Sequence, residues 1–336
     1  MQRASLYFTS PARVTICTEE IPPLEPEQLF IQTLFSAISP GTEMLLYRGQ
    51  FPGDLPLDEN IAGFRTPPSY PLKYGYSLVG RVTAIGRSID PAWLGRTVFS
   101  FHPHESHFTA SPEELLPVPA DVTPEQAVFL PNMETAVNFV MDGAPLIGEE
   151  VAVFGQGIVG LLTTALLGRF PLGRLVTLDR YLLRRQISVE LGAHASFDSA
   201  DIGQVKSLLG DGVDLCYEVS GSPEALDQAI VLTGYGGRVI VGSWYGTKKV
   251  NLDLGGRFHR SRIRLMSSQV STLSPELSGR WTKARRFAFA WEMLKSIQSH
   301  RLITHKIPFA SAGEAFRLID QEPAQTVQVV LTYEDG

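Results

Sequence analysis

The sequence predicts an α/β protein that combines a doubly wound parallel sheet with a β-rich domain. From residue 123 onwards, apolar strand-like runs alternate with helical patterns, and this alternation is typical of a parallel sheet. Before about residue 120, short β-branched and aromatic runs are separated by Pro and Gly, as in β-rich domains. The length of 336 residues allows about two domains, each with its own core.

The first part of the chain contains the runs expected to form strands. These are LYFTSPARVTICTEEIPP, EQLFIQTLFSAIS, SLVGRVTAIG and RTVFSF. Between them, residues 49–71 form a long Pro-, Gly- and acid-rich segment without clear periodicity. A loop of that length in a compact domain is usually functional or mobile, and residues 50–70 are a candidate lid over a substrate.

The second part begins with a helical pattern after Thr123, a residue suited to capping a helix. The expected strands follow as VAVF, LVTLD, VDLCYEVSG, RVIVGSW and IRLMSS. TKARRFAFAWEMLKSIQ and SAGEAFRLIDQ are predicted amphipathic helices, and VQVVLTY is predicted to be a final strand.

A glycine-rich turn between the first of these strands and a helix matches the dinucleotide-binding fingerprint of Rossmann domains. In that fingerprint Gly155 permits the tight turn, Gly157 lets a pyrophosphate approach the backbone, and Gly160 packs the helix against the sheet. Ile158 and Val159 begin the helix, whose N-terminal N–H groups would face the phosphates. The alternative is an ordinary strand–helix turn, but strand, glycines, helix and second strand occur in the required order.

The acid that ends the second strand favours NAD as the cofactor. Asp179 lies nineteen residues past Gly160, where a carboxylate can bind the ribose hydroxyls and repel a 2′-phosphate. Arg180 follows directly, and Arg184 and Arg185 come one turn later. Such arginines either bind the 2′-phosphate of NADP or lie on a solvated helix face, so NADP remains open.

Composition excludes several other classes of protein. The net charge of −6 argues against general binding to nucleic acid or to anionic membranes. No signal-peptide core and no run of membrane-spanning length is found, and Cys17 and Cys216 cannot form a disulfide framework or a zinc knuckle. We therefore expect a cytoplasmic protein.

Several segments resemble the medium-chain dehydrogenase/reductase superfamily of zinc alcohol dehydrogenases and quinone reductases. They are ISPGTE at 38–43, GYSLVG at 75–80, VSGSP at 219–223, GGRV at 236–239 and AGEAF at 312–316. The resemblance implies a GroES-like β-rich catalytic domain at 1–132 and 273–336, and a Rossmann domain at 133–272. It also assigns Thr135, Ser220 and Gly242 to the cofactor site.

The positions of the superfamily's catalytic zinc ligands do not carry ligands here. In the alignment they fall on Pro40, Tyr76 and, at or near it, Pro131, whereas a catalytic zinc needs three side chains with N, S or carboxylate O donors. The four-cysteine structural zinc lobe is also absent. A zinc-less branch of the superfamily is indicated, and we predict no metal. His102, His104 and His107 remain an alternative metal site, because histidine-rich tracts can bind metals.

A catalytic mechanism without zinc needs other groups to stabilise alkoxide charge on the substrate. By resemblance, Thr42 occupies the position of the proton-relaying hydroxyl, and Tyr76 occupies a vacated ligand position. We hypothesise that both bind the substrate oxygen while His102 exchanges the proton, and Glu134 is a second candidate acid. The alternatives are a core tyrosine, a turn-forming threonine and a structural histidine.

The substrate is expected to be a small molecule, which could carry a bulky or planar group. The N-terminal third is similar to bacteriochlorophyllide hydroxyethyl dehydrogenases, which implies a secondary alcohol on a ring or the matching ketone. Six loop aromatics could form a pocket for such a ligand or belong to the core: Tyr47, Phe51, Phe64, Tyr70, Trp244 and Tyr245.

Three functions compete on this evidence. The favoured one is a zinc-independent NAD(P)(H)-dependent oxidoreductase that interconverts a secondary alcohol and a ketone or aldehyde. The others are an NADPH-dependent quinone or enoyl reductase of the same fold and a non-catalytic dinucleotide-binding sensor or scaffold. We also expect a homodimer that pairs through residues 262–266, because an unpaired apolar edge strand favours association.

Overall fold

A computed structural model describes residues 2–57 and 65–333, which group into two compact units. The first unit comprises Met1–Pro131 and Leu294–Gly336, and the second comprises Asn132–Met293. The sequence placed the second boundary at 272/273, about twenty residues earlier. The later boundary has a physical cause, since the buried Arg286 binds Glu134 and Asn138 within the second unit.

The first unit is built mainly of antiparallel strands. Its elements are β1 (Gln2–Ser10), β2 (Arg13–Glu20), β3 (Leu29–Ala37), α1 (Thr42–Tyr47), β4 (Leu78–Ile85), β5 (Thr97–Ser100), β6 (His107–Ala110), β7 (Leu116–Pro117), α2 (Pro124–Ala127), and, after the second unit, β14 (Ile303–Pro308), α9 (Ala312–Gln321) and β15 (Gln328–Thr332). β1 and β2 pair with each other, and the larger sheet has the order β14-β15-β3-β4-β5-β7 with β6 on β3. One core of this unit packs α9, through Phe316, against Phe8 of β1.

The second unit is the predicted doubly wound α/β domain. Its strands are β8 (Glu150–Phe154), β9 (Arg174–Leu178), β10 (Ala195–Phe197), β11 (Val213–Glu218), β12 (Thr233–Val241) and β13 (Arg264–Ser267). Its helices are α4 (Ile158–Leu167), α5 (Leu182–Glu190), α6 (Ile202–Leu209) and α7 (Pro223–Leu232), with α3 (Leu130–Gly143) and α8 (Lys283–Ile297) crossing the two boundaries. All six strands are parallel, in the order β10-β9-β8-β11-β12-β13. The chain order reverses between β8 and β11, which is where ligands bind in such sheets.

The helical pattern after Thr123 is two helices rather than one. Thr123 caps α2 as predicted, accepting the Gln126 N–H at 3.2 Å, while the Gln126 amide oxygen accepts the Thr123 N–H at 3.0 Å. α2 ends at Ala127 with Val128 as its C-cap residue, and α3 begins at Leu130. The three-residue β10 was not predicted, because its partly buried residues show no strong strand pattern.

One edge of the second sheet is open to solvent. All four residues of β13 are exposed, including the apolar Leu265 and Met266. No helix among the described residues is long and apolar enough to span a membrane.

Candidate functional site

The glycine-rich turn has the geometry that its sequence predicts. Gly155 has a φ of +89°, and a Cβ there would lie 2.5 Å from the Cα of Ser220. A Cβ on Gly160 would lie 1.9 Å from the Gly155 carbonyl oxygen. Both positions therefore exclude any larger residue, the first by backbone conformation and the second by contact between helix and turn.

The middle glycine of the turn faces open space. A Cβ on Gly157 would meet only Nη1 of Arg184, at 4.0 Å. Gly157 immediately precedes α4, whose first-turn N–H groups have no helical acceptors. Open space, unpaired N–H donors and the positive end of the helix dipole are suited to a pyrophosphate.

Asp179 lies at the end of β9 and holds the turn in place. Its Oδ2 accepts the Gln156 N–H at 2.7 Å, and its Oδ1 accepts the Tyr181 N–H at 2.8 Å. Each carboxylate oxygen can accept a second hydrogen bond, so the same group can also bind ribose hydroxyls. The side chain is buried, and a charged carboxylate there disfavours an additional phosphate.

The three arginines after β9 have different surroundings. Arg185 is bound to the Asp179 carbonyl oxygen at 2.9 Å and to Asp198 at 2.7 Å, so it stabilises the turn. Arg180 and Arg184 both lie over the ring of Tyr181, at 5.8 and 4.8 Å from its centroid. Burial lowers the pKa of Arg184, which nevertheless stays positively charged at any physiological pH.

The end of β11 contributes a fully buried carboxylate to the same region. Glu218 accepts hydrogen bonds from the N–H and hydroxyl of Ser220, at 2.8 and 2.5 Å, and from the Tyr245 hydroxyl at 2.5 Å. Its carbonyl oxygen accepts the N–H of Gly242 at 2.9 Å. Glu218 thus ties two predicted cofactor residues, Ser220 and Gly242, to the strand beside β8. Glu218 was not predicted from the sequence.

Glu134 occupies a buried ion pair instead of an open pocket. Its Oε1 accepts hydrogen bonds from Nε and Nη2 of Arg286, at 3.1 and 2.7 Å, and both side chains are almost wholly buried. Burial raises the pKa of Glu134, with Arg286 opposing this shift. The pair holds α8 to α3. Thr135, the next residue, is half-buried on α3.

In the first unit, Ser39 joins two of the residues predicted to bind the substrate. The Tyr76 hydroxyl donates to Ser39 Oγ at 2.6 Å, and the Thr42 N–H donates to the same oxygen at 3.3 Å. The Ser39 N–H donates to Oε1 of Glu43 at 2.9 Å, so serine and glutamate brace the first turn of α1 reciprocally. Ser39 was not predicted from the sequence, because it lies outside α1, whose N-cap residue is Gly41.

His102 is half-buried and paired with a carboxylate. Its Nε2 lies 3.0 Å from Oε2 of Glu105, and its ring stacks on Phe108 with centroids 4.0 Å apart. Burial by itself would raise the pKa of Glu105, but the hydrogen bonds and charges of His102 and Lys73 hold it below the usual value. The imidazole is therefore fixed in orientation by a charged partner.

His104 belongs to a separate and fully buried hydrogen-bond chain. Its Nε2 lies 2.8 Å from Oε2 of Glu43, and its Nδ1 lies 2.7 Å from Oγ of Ser36, which in turn bonds the Tyr333 hydroxyl at 2.8 Å. Because Ser36, Glu43 and His104 have no exposed surface, this serine–histidine–glutamate set has no access to substrate. It instead fixes the carboxylate that braces Ser39.

The donor set at the vacated zinc positions does not fit a zinc ion. A proline side chain offers no donor, and the Tyr76 hydroxyl gives its proton to Ser39. The three histidines of 102–107 have different partners, respectively Glu105, Glu43 with Ser36, and Ser106. Of these three histidines only His107 lies on a strand, at the start of β6. Among residues 2–57 and 65–333, no cluster of three or more His, Cys, Asp or Glu could hold a metal.

The structure places most of the six loop aromatics against the cores of the two units. Tyr47, Phe51 and Tyr70 pack in or against the core of the first unit, and Tyr245 packs against that of the second. Trp244 is 43% exposed, and Phe64 lies outside the described residues. The β-domain core is therefore the explanation that applies to Tyr47, Phe51 and Tyr70.

Comparisons with known proteins agree with this architecture. Residues 159–289 match the zinc-binding dehydrogenase family. D-guloside 3-dehydrogenase of Escherichia coli K12 is 23% identical to this chain, over 98% of this chain and 99% of the relative.

Solved structures share the fold over nearly the whole length. The 2R,3R-butanediol dehydrogenase of Bacillus subtilis superposes with a TM-score of 0.80 at 19% identity, covering 98% of this chain and 99% of that one. A protein of Escherichia coli CFT073 described as a short chain alcohol dehydrogenase, complexed with NADH, superposes with a TM-score of 0.79 at 18% identity, covering the same shares. At these identities the structural comparisons establish the fold.

Proposed function

Since the comparisons support the zinc-binding dehydrogenase superfamily and the fold is that of its alcohol dehydrogenases, we propose that this chain is a zinc-independent, NAD(P)(H)-dependent oxidoreductase. It interconverts a secondary alcohol and the matching ketone or aldehyde. The observation that carries the proposal is the turn at Gly157, which combines open space, free helix N–H donors and a buried Asp179.

The second unit is proposed to bind the dinucleotide. Its pyrophosphate would meet the first turn of α4 beside Gly157, and its adenosine ribose would meet Asp179. The buried carboxylate favours NAD(H) over NADP(H), while Arg180 and Arg184 leave a 2′-phosphate as the alternative. When bound, the nicotinamide ring supplies or accepts a hydride.

The first unit is proposed to bind the substrate oxygen through the Thr42 and Tyr76 region. Reduction of a carbonyl puts negative charge on its oxygen, and preorganised hydroxyl donors stabilise that charge without a metal. His102 lies half-buried against Glu105 and is the group proposed to exchange the proton. Glu134 is not part of this proposal, because Arg286 holds its carboxylate.

The proposed substrates are small alcohols, with polyols and sugars first. This choice follows the names of the relatives, a guloside dehydrogenase and a butanediol dehydrogenase. The described aromatics Tyr47, Phe51 and Tyr70 fill the core, so they give no support to a planar ring as the substrate. A cytoplasmic homodimer paired through the exposed edge of β13 completes the proposal.

The test is a fluorescence titration of metal-stripped protein with NADH and with NADPH. Asp179→Asn removes the charge of the side chain and keeps its size. NADH affinity is expected to fall about tenfold, a loss of roughly 1.4 kcal/mol in binding free energy. NADPH affinity is expected to rise. Asp211→Asn is the matched control, since Asp211 is an exposed aspartate of the same unit. Oxidation of a panel of polyols, sugars and simple secondary alcohols is then followed at 340 nm.

The outcomes separate the three candidate functions. Tight NADH binding without metal, with turnover of a secondary alcohol, supports the proposal. A preference for NADPH with reduction of quinones or enones instead supports the reductase. Cofactor binding without hydride exchange on any carbonyl supports the sensor or scaffold, and loss of binding together with stoichiometric zinc would refute zinc independence.

A further inference from the structure

Ser39 has an unusual hydrogen-bond arrangement for a serine beside a proposed substrate site. Its hydroxyl oxygen accepts the Tyr76 O–H at 2.6 Å and the Thr42 N–H at 3.3 Å. A serine hydroxyl has two acceptor positions and one proton to donate. Both acceptor positions are used, so the remaining capacity of this group is donation.

The Ser39 proton has no acceptor in residues 2–57 and 65–333, since both side-chain hydrogen bonds found for Ser39 there bring protons to its oxygen. Ser39 is 9% exposed, and three neighbours that surround it, Pro40, Thr42 and Tyr76, are each only half-buried. Ser39 therefore adjoins partly exposed residues, and an oxygen atom of a small molecule bound there could take its proton.

The position of Ser39 is fixed from behind. Glu43 accepts the Ser39 N–H at 2.9 Å, and Glu43 is itself held by the buried His104 at 2.8 Å. A preorganised donor costs little reorganisation when charge develops on a substrate oxygen, and such donors contribute more than flexible ones.

We propose that Ser39 is the direct hydrogen-bond and proton donor to the substrate oxygen, and that Tyr76 acts through Ser39 as the source of the replacement proton. The inference rests on the proposed oxidoreductase function and specifies which atom contacts the substrate. Ser39 is then a catalytic residue, Tyr76 a positioning and proton-supplying residue, and the Glu43–His104 pair the brace that holds both.

In the reduction, a hydride and a proton reach the two ends of the carbonyl bond. The carbonyl carbon gains a hydride, a proton with two electrons, from a reduced nicotinamide dinucleotide, which is thereby oxidised. The C=O π bond breaks, and the oxygen takes the Ser39 proton to give the alcohol. Ser39 recovers a proton from the Tyr76 hydroxyl, and the resulting phenolate is reprotonated by water. Alcohol oxidation is the reverse.

The first measurement does not depend on turnover. Isobutyramide presents a carbonyl oxygen but cannot accept a hydride, and its binding to the NADH-loaded protein is measured by calorimetry. Ser39→Ala is expected to weaken isobutyramide binding at least tenfold and to leave NADH affinity within twofold. Ser39→Thr keeps the hydroxyl and is expected to restore most of the binding. Ser100→Ala is the matched control, because Ser100 is a buried serine of the same unit that donates to the Glu114 carbonyl at 3.3 Å.

The second measurement is a kinetic double-mutant cycle on the secondary alcohol that the wild type oxidises fastest. Ser39→Ala should lower kcat about 100- to 1,000-fold, the usual effect of losing an oxyanion donor. Tyr76→Phe should lower kcat less and shift its pH profile, and the double variant should match Ser39→Ala because the two groups act in series.

The outcomes distinguish the two levels of the argument. No NADH binding by the wild type would overturn the proposed function and this inference with it. NADH binding with no isobutyramide binding, or with binding unaffected by Ser39→Ala, would overturn the role of Ser39 alone. Additive kinetic effects of Ser39→Ala and Tyr76→Phe would mean that Tyr76 contacts the substrate independently, and would refute the serial arrangement.

Discussion

Replacing Arg286 by Met tests whether Glu134 and Arg286 form a structural pair that holds α8 to α3. Arg286 has no exposed surface and donates to Glu134, to the Asn138 amide oxygen and to the carbonyl oxygens of Val270 and Thr272. Methionine has a similar length but no donor. The variant leaves a buried carboxylate without its cation, together with three oxygen acceptors without their donor.

The expected loss of stability is about 3–5 kcal/mol, the usual cost of removing one partner from a buried ion pair. For a unit of this size that corresponds to a fall in Tm of roughly 6–20 °C. Glu134→Gln combined with Arg286→Met should recover part of the loss, because no buried charge then remains uncompensated. The control is Lys306→Met, which breaks the exposed Lys306–Glu125 pair and should change stability by less than about 0.5 kcal/mol.

The loss should also depend on pH in a defined direction. Burial raises the pKa of Glu134 from 4.5, and without Arg286 this pKa rises further. A carboxyl group whose pKa is higher in the folded than in the unfolded state stabilises the fold at pH values below its unfolded-state pKa. This stabilisation is lost as the pH rises through its folded-state pKa. The deficit of Arg286→Met should therefore be smaller at pH 5 than at pH 8. Urea unfolding at both pH values measures it, and a deficit below 1 kcal/mol at pH 8 would refute the structural assignment of the pair.

Three further outcomes are expected. Gly160→Ala should abolish NADH binding because its Cβ would lie 1.9 Å from a carbonyl oxygen, whereas Gly203→Ala, with open space around it, should leave binding unchanged in the same titration. Although burial opposes the shift, hydrogen bonds from a tyrosine, a lysine and a serine lower the pKa of Glu19 from 4.5 to about 2. The contribution of the Glu19 carboxylate to stability is therefore present above pH 4.5 and is lost towards pH 2. Acid unfolding should accordingly be less steep in Glu19→Gln. Burial raises the pKa of the Cys216 thiol, so a maleimide should label only the partly exposed Cys17 until the protein unfolds, and rapid labelling at both positions would contradict the packing of β11.

The glycine-rich turn and the carboxylate after β9 were readable from sequence because the spacing that defines them is short. Gly155, Gly157 and Gly160 follow one another in a single turn between a strand and a helix, and Asp179 follows its strand directly. The same holds for the Thr123 cap. A strand that ends in a glycine turn before a helix leaves few geometric alternatives, so spacing alone predicts the geometry.

The surroundings of Tyr76 and Glu134 were only partly readable because their contacts join distant segments. Tyr76 was selected by its position, but its partner Ser39 is 37 residues away in the chain. Glu134 looked like a free acid because its cation, Arg286, comes 152 residues later.

The sequence by itself determined the fold class and the glycine-rich turn, and it predicted that the superfamily's zinc-ligand positions carry no ligand, since each depends on residue type and short spacing. Only the tertiary structure decided which polar groups are committed to one another. Ser39 presents a proton because Tyr76 and Thr42 both donate to it, whereas Glu134 is withdrawn because Arg286 folds back onto α3. Hydrogen-bond capacity is finite, so the role of a polar side chain depends on the partners that folding brings to it.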